Sequence, residues 1–324
     1  MTTYGDQIFQ YGGCPVASLG PVPRKDGQSW FVDYDHGLDG NSGRSPNQPF
    51  KTISKAVEDN PDLNVGDSVF VFPRTMASTV SDPANYAETI VIDTCGLSLI
   101  GLGNGRVQGG LPQMKIGAGT TPMIEVKASG VLIQGIGLNG YGSTGGGIKL
   151  TDDGTDQVIG TTILDCHFKN CKVHATNGGL GGAIYWSTAG AAWQALIKGN
   201  KFYKNVADIV LVGTGVSRPQ DIVIEDNIFS SPAASVDINL FLKGGGSGMD
   251  GVFINRNVFP CWPAVGSGSN AKPIDATGCV GILSNNVFGC TGKTAGAAGH
   301  MLIPTTVLMA NNYQEDGATQ WARS

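Results

Sequence analysis

The sequence predicts an all-β protein: a single-stranded right-handed parallel β-helix, a solenoid with a short N-terminal arm and a capping helix. Three observations carry this. First, a short phrase recurs: an aliphatic residue, two variable residues, a small polar residue, one variable residue, then an aromatic. It reads Ile163-x-x-Cys166-x-Phe168, Ile197-x-x-Asn200-x-Phe202, Ile224-x-x-Asn227-x-Phe229, Ile254-x-x-Asn257-x-Phe259, Leu283-x-x-Asn286-x-Phe288 and Leu308-x-x-Asn311-x-Tyr313. A weaker copy, Ile133-x-x-Ile136-x-Leu138, precedes these. Second, the aromatic positions from Phe168 to Tyr313 lie 34, 27, 30, 29 and 25 residues apart, with short apolar or alternating stretches between them. Third, the 49 glycines among 324 residues are spread among β-branched residues without a collagen-like period, as many short strands and many turns require.

Each element follows. The phrase reads as strand, tight polar turn, strand. A period of two within strands and a coil near thirty residues excludes helical repeats and fits three short sheets per coil. Six copies of one phrase also argue against an antiparallel sandwich. Stacked coils place each Phe on the one below at about 4.8 Å, an internal aromatic ladder continuing to Tyr313. The Asn two residues earlier is expected at φ > 0, its amide bonding the Asn of the next coil. Parallel crossovers are right-handed in nearly all cases. Ahead of the repeats, Phe50–Val57 has apolar residues at 50, 53, 56 and 57, the spacing of a short amphipathic helix that would cover the open first rung. Residues 66–72 read as the first buried strand, and full coils are expected from residue 88 onward. The expected division is an extended arm over 1–28, a cap over 29–85 and the β-helix over 86–324.

Composition sets further bounds. A net charge of −5 without a basic run argues against nucleic acid as a partner. No stretch approaches the roughly 18 apolar residues of a membrane span, and the first residues lack a signal-peptide pattern, so synthesis in the cytoplasm is expected. Seven scattered cysteines (Cys14, Cys95, Cys166, Cys171, Cys261, Cys279 and Cys290) do not form a disulfide framework and are expected as thiols, mostly buried.

Residues 30–57, WFVDYDHGLDGNSGRSPNQPFKTISKAV, followed by GDSVFVFP, resemble the entry to pectate-lyase-like right-handed β-helix proteins. That superfamily includes polysaccharide lyases, glycosidases, phage tailspikes and non-enzymatic virion proteins. The segment Tyr4–Val16, YGDQIFQYGGCPV, is similar to the N-terminal arm of head-associated β-helix proteins of tailed bacteriophages. It has spaced aromatics and is followed by Pro21 and Pro23, which suits an arm that orders on a partner surface.

Candidate chemistry is sparse. Asp33, Asp35, Asp39 and Asn41 crowd four oxygen donors into nine residues but miss the EF-hand pattern, and an Asp/Gly/Asn turn explains them. Glu225, Asp226, Asp152, Asp153, Asp165, Asp237 and Asp250 are the acids of the coils. Glu225 and Asp226 face opposite ways unless a turn bends them together, and no coil shows an Asp with a recurrent Arg or Lys one rung away. Cys166, His167, Cys171 and His174 mimic a metal cluster, yet Cys166 sits in the Asn slot of the ladder. His36 and His300 are far apart in the chain. Trp186, Trp193 and Trp262 would serve sugar stacking if exposed. The sequence therefore assigns no catalytic residue, cofactor or metal.

Taken with the resemblance, these absences point first to a capsid decoration (cement) protein on a phage head. The implied partner is the major capsid protein, the implied assembly a homotrimer and the implied location the virion surface, with carbohydrate as a further partner. The short arm and the eleven residues after Tyr313 leave little room for tailspike accessory domains. The alternative is a tailspike-like or lyase-like polysaccharide-degrading enzyme.

Overall fold

In a computed structural model of the chain, the structure describes residues 10–11, 14–15, 27–74, 84–103, 110–115, 119, 121–140, 146–151, 158–172, 182–186, 192–211, 213–214, 219–229, 238–242, 244–245, 249–259, 272–289, 303–314 and 320–321. The chain winds into a right-handed parallel β-helix with three long sheets of 12, nine and seven strands. One coil runs Thr162–Leu164, His167–Lys169 and Ile184–Trp186, one strand per sheet. The next repeats the order with Leu196–Lys198, Lys201–Tyr203 and Ala207–Val210. Two-residue corners join the 12-stranded sheet to the nine-stranded one.

Period-two alternation aims one side chain of each short strand into the bore. In the 12-stranded sheet the stack is Ile133, Ile163, Ile197, Ile224, Ile254, Leu283 and Met309, partners in register rung after rung. In the nine-stranded sheet it is Leu138, then Phe168, Phe202, Phe229, Phe259 and Phe288. The five rings stack nearly parallel, with centroids 5.0, 4.9, 4.7 and 4.8 Å apart. One continuous apolar cluster extends from Trp30 to Val307.

A second ladder runs beside the rings. The backbone N–H and side-chain Nδ2 of Asn227 both donate to Asn257 Oδ1 at 3.0 Å. The same pairing links Asn200 to Asn227, Asn257 to Asn286 and Asn286 to Asn312. Each amide also donates to a carbonyl of the coil behind, as Asn257 Nδ2 does to Ile224 at 2.9 Å. The expected positive φ lies one residue earlier, at Gly135, Asp165, Gly199, Asp226, Arg256, Asn285 and Asn311. The bend falls to the residue that points outward, which leaves the Asn amide free to lie along the axis inside.

The last copy of the phrase is also shifted by one residue. Leu283 pairs with Met309, and Asn286 bonds Asn312 rather than Asn311. Because strand side chains alternate, that slip sends Leu308 (63% exposed) and Tyr313 (39% exposed) outward, so the aromatic ladder ends at Phe288.

At the other end the sheet begins a rung earlier than expected. Ser29–Val32 pairs in parallel with Ser68–Val71, which pairs with Ser98–Gly101. The helix is shorter than its apolar spacing suggested, Ile53–Val57, with Thr52 Oγ1 accepting from Lys55 N as N-cap. Phe50 instead bridges to Val32 and stacks on Trp30. Ile53, Ala56 and Val57 are buried over the first rungs, and Glu88 Oε2 accepts from Ser54 N at 2.8 Å, tying the helix to the coil above. Of the arm, only Gln10–Tyr11 and Cys14–Pro15, an antiparallel pair, and residues 27–28 are among the described residues.

Asp67 locks this end. Fully buried, its carboxylate accepts from Gln28 N (2.7 Å), Trp30 Nε1 (2.8 Å) and Asn64 N (2.9 Å). Asp67→Ala orphans the buried Trp30 Nε1 donor and two partly buried backbone N–H groups, so we expect a loss of about 2 kcal/mol or more, read as a lowered urea midpoint. A loss under about 0.5 kcal/mol would show that the cap does not depend on this carboxylate.

Candidate functional site

The acidic loop of the cap is committed to its own turn. Asp33 Oδ1 accepts from Asp35 N and His36 N, and Asp35 Oδ1 from the Arg74 guanidinium. Asp39 Oδ1 accepts from Lys51 N, Thr52 N and Thr52 Oγ1, and Asn41 Nδ2 donates to Pro49 O. These bonds close the loop between the strand and the helix, as the turn reading expected.

Cys166 occupies the Asn slot: its N–H donates to Asn200 Oδ1 at 2.9 Å. Cys171 heads a parallel pairing, its N–H donating to Asn205 Oδ1 at 2.9 Å. Burial pushes both thiols up to about 12, so they are inert as nucleophiles. Cys279 is likewise buried and Cys95 exposed. His174, His300, Asp152, Asp153, Asp237, Trp262, Cys261 and Cys290 lie outside the described residues. Trp186 is buried in the core, where it cannot stack on a sugar, while Trp193 is half-buried.

The structure does bring together one constellation that residue-by-residue reading dismissed. Glu225 ends a strand of the 12-stranded sheet and Asp226 is the left-handed corner residue (φ 56°). The corner swings both carboxylates toward the same outer edge. From the coil below, Lys198 Nζ reaches Glu225 Oε1 at 2.7 Å and Asp226 Oδ2 at 3.5 Å. From the coil above, Arg256 grips Asp226 in bidentate fashion, Nε to Oδ1 at 2.7 Å and Nη2 to Oδ2 at 2.9 Å, and touches Glu225 Oε2 at 2.9 Å. Asp and cation are therefore one rung apart after all. The Arg256 guanidinium holds the Asp226 carboxyl below its ordinary range, and the bond to Glu225 raises the Lys198 ammonium above its own. At neutral pH Asp226 stays ionised and Lys198 protonated. Such a quartet fixes planar acceptors and donors in place, and its charged forms suit recognition better than proton transfer.

Around the corner, the nine-stranded sheet turns His167, Lys169, Lys201 and Tyr203 outward. The register sets His167 beside Lys201 and Lys169 beside Tyr203. Tyr203 is 39% exposed, with Lys204 Nζ 5.3 Å from its ring centre. His167 is only 7% exposed and its Nδ1 has no partner. Farther along, the same outer face becomes apolar: Ile228, Val258, Val287 and Tyr313 form an exposed stripe in register. Both features were missed because they belong to no motif. Their residues are about thirty apart in sequence, and only coil-by-coil alignment of outward positions, two on either side of each Asn, reveals them.

No family model matches this chain, and no curated protein does. Solved structures do. The chain is similar to the GH136 lacto-N-biosidase from Eubacterium ramulus (TM-score 0.55, 12% identity, 89% of this chain and 56% of that one). It also aligns with a rhamnogalacturonan lyase (TM-score 0.34, 12% identity, 92% and 90%) and with the Dettilon tailspike protein (0.29, 12%, 77% and 62%). The chain thus spans little more than half of the lacto-N-biosidase chain. At this identity the likeness shows the β-helix fold alone.

Proposed function

We propose that this β-helix binds a polysaccharide along its outer corner, between the 12-stranded and nine-stranded sheets. The observation that supports the reading is the quartet Lys198, Glu225, Asp226 and Arg256. Its members come from three successive coils, hold one another rigid and keep their outer edges in water. Sugar hydroxyls are donors and acceptors at once, and preorganised carboxylate–guanidinium groups meet them without an ordering cost. A solenoid also repeats its surface groups from coil to coil, as a polymer repeats its units. Tyr203, next along the surface, offers a face for a sugar ring.

The test is affinity electrophoresis and calorimetry against a panel of purified bacterial and plant polysaccharides, using the full chain and the variants Arg256→Ala and Asp226→Asn. We expect at least one polysaccharide to bind and each variant to weaken it about tenfold or more, roughly 1.4 kcal/mol. The exposed ion pairs contribute little to stability, so the variants should fold. Wild-type protein that binds nothing, or variants that bind equally well, would sink the proposal. New reducing ends or unsaturated products released by the wild type alone would extend it from binding to cleavage.

One observation favours a second reading, capsid decoration. The apolar stripe Ile228, Val258, Val287 and Tyr313 is no asset to a glycan surface but suits burial against a protein. Co-sedimentation with decoration-free capsids, using the full chain, a chain lacking residues 1–28 and Val258→Glu, tests it. Saturable binding lost in either variant supports the role, and no binding by the full chain removes it.

A further inference from the structure

The outer face of the 12-stranded sheet carries a second pattern beside the quartet. One residue of each strand points outward in register from coil to coil: Leu196, Val223, Phe253, Ile282 and Leu308. Phe253 is 44% exposed and Leu308 is exposed, while the other three are half-buried. Five apolar side chains therefore form a strip along the solenoid axis. Two residues on, the next outward position is polar in the first four of these coils: Lys198, Glu225, Asn255 and Ser284. This row continues the quartet toward the C-terminal coils, where Ser284 Oγ and Asn285 Nδ2 donate to Asn255 Oδ1 at 3.2 and 2.9 Å. Strip and row run side by side, about 7 Å apart along each strand.

Charges of both signs alternate around them. Arg256 and Lys198 are each held by Glu225 and Asp226, so an incoming carboxylate would compete with two already in place. Across the corner, Lys169 and Lys201 share the surface with the corner acid Asp165, whose Oδ1 reaches over Gly199. At the other margin of the strip lie the exposed acids Asp221 and Asp250. No field of one sign spans this surface.

We infer that the polysaccharide bound at this corner is neutral, its pyranose rings laid along the solenoid axis with C–H faces on the apolar strip and hydroxyl edges on the polar row. This rests on the polysaccharide reading above and deepens it. A pyranose is amphipathic: its ring faces present C–H groups, and its rim presents hydroxyls that both donate and accept. The strip supplies the apolar floor, with Phe253 as a stacking face. The row supplies both kinds of polar partner: ammonium, guanidinium and amide N–H groups donate, while carboxylate, amide and hydroxyl oxygens accept. The strip is one side chain wide and bordered by fixed charges, which suits a single sugar ring better than the broad apolar core of a protein interface. A polyanion would have to displace Glu225 and Asp226 from their cations. It would also meet Asp221 and Asp250 on a protein whose net charge is already −5.

The experiment is calorimetry of the full chain with neutral polymers (mixed-linkage β-glucan, arabinoxylan and galactomannan) and anionic ones (polygalacturonate, alginate and dextran sulfate). Each is measured at about 50 and 500 mM NaCl. The series is repeated with Phe253→Gln and, as a control across the corner, Val258→Gln. Both side chains are exposed, and thermal unfolding checks that each variant folds. A neutral polymer should bind more tightly than any anionic one, its affinity changing less than about twofold between the two salts. Phe253→Gln should weaken that binding about tenfold through loss of the stacking face, with Val258→Gln unchanged. An anionic polymer bound in preference and weakened by salt overturns the inference. So does neutral binding indifferent to Phe253→Gln. In either case a loss of binding in Arg256→Ala leaves the polysaccharide reading standing. Binding of no polysaccharide at all removes both.

Discussion

Phe229→Ala should lower the unfolding free energy by about 3–5 kcal/mol, the range for emptying a buried aromatic site. Phe229 is fully buried, with Phe202 stacked on one face at 4.9 Å and Phe259 on the other at 4.7 Å. Truncation removes contacts from both rings at once. The site cannot collapse to recover them, because each coil is held at its spacing by backbone ladders in the sheets and by the Asn ladder beside the rings. A solenoid transmits such damage to neighbouring coils first, since each repeat packs only on those adjacent. Urea denaturation followed by tryptophan fluorescence reads the loss, and hydrogen exchange should rise first in the coils around 197–203 and 254–259. Phe229→Leu, which keeps much of the volume, should cost less than half as much. A loss below 1 kcal/mol for the alanine variant would mean the ring stack does not hold the coils together.

The same stack shows why so much of the fold was readable. A phrase in which Ile, Asn and Phe recur about every thirty residues has one economical solution, in which like positions lie on top of one another. Ile197, Asn200 and Phe202 could therefore be placed before any coordinate was known. The differences between expectation and structure are single-residue offsets. The tolerance of Asn for φ > 0 points to the Asn as the left-handed residue, but Asn227 is needed inside the bore and Asp226 takes the bend. The recurring phrase places the final coil at Leu308-x-x-Asn311-x-Tyr313, where its aromatic position is filled. The chain instead places Met309 and Asn312 inward, because continuing the amide ladder to Asn286 satisfies buried donors that an outward Asn would leave open. Short strands hold register weakly, so in a terminal coil polar satisfaction decides.

The site was far less legible. By strand alternation alone, Glu225 and Asp226 face opposite ways unless a turn bends them together. That rule stops at the corner, where φ 56° at Asp226 turns the second carboxylate back beside the first. Lys198 and Arg256 lie 27 and 30 residues from their partners, so nothing local marks them. The outward residues His167, Lys169 and Lys201 around the corner are similarly dispersed, each unremarkable in its own sequence neighbourhood. In a solenoid the surface is read across coils, and motif spacing along the chain carries little of it.

Asn257→Ala should be nearly as damaging as loss of the ring, about 3 kcal/mol or more, for a different reason. Asn257 is fully buried and sits mid-ladder, so truncation strands the Asn227 N–H and Nδ2, which both donate to its Oδ1, and the Ile224 carbonyl that accepts from its Nδ2. Little apolar surface is lost, so the cost comes from desolvated groups left unpaired, each about 1–3 kcal/mol. Asn257→Asp separates shape from pairing: the acid keeps the size and an acceptor, but when neutral it has one donor for the two acceptors, Ile224 O and Asn286 Oδ1, and when ionised none. It should also bury a charge beside two oxygens. Its stability should therefore fall as pH rises through the raised carboxyl value, a trend the alanine variant lacks. The opposite change is expected at the start of the ladder. Cys166 already accepts from the Ile136 N–H and lies 3.8 Å from the Ile133 carbonyl, the positions an Asn amide would use. Cys166→Asn should thus extend the ladder by one rung and leave stability equal or up to about 1 kcal/mol higher. A clear loss at Cys166→Asn, with Asn257→Ala tolerated, would mean that the amides fill space and the hydrogen-bond ladder does not hold the coils.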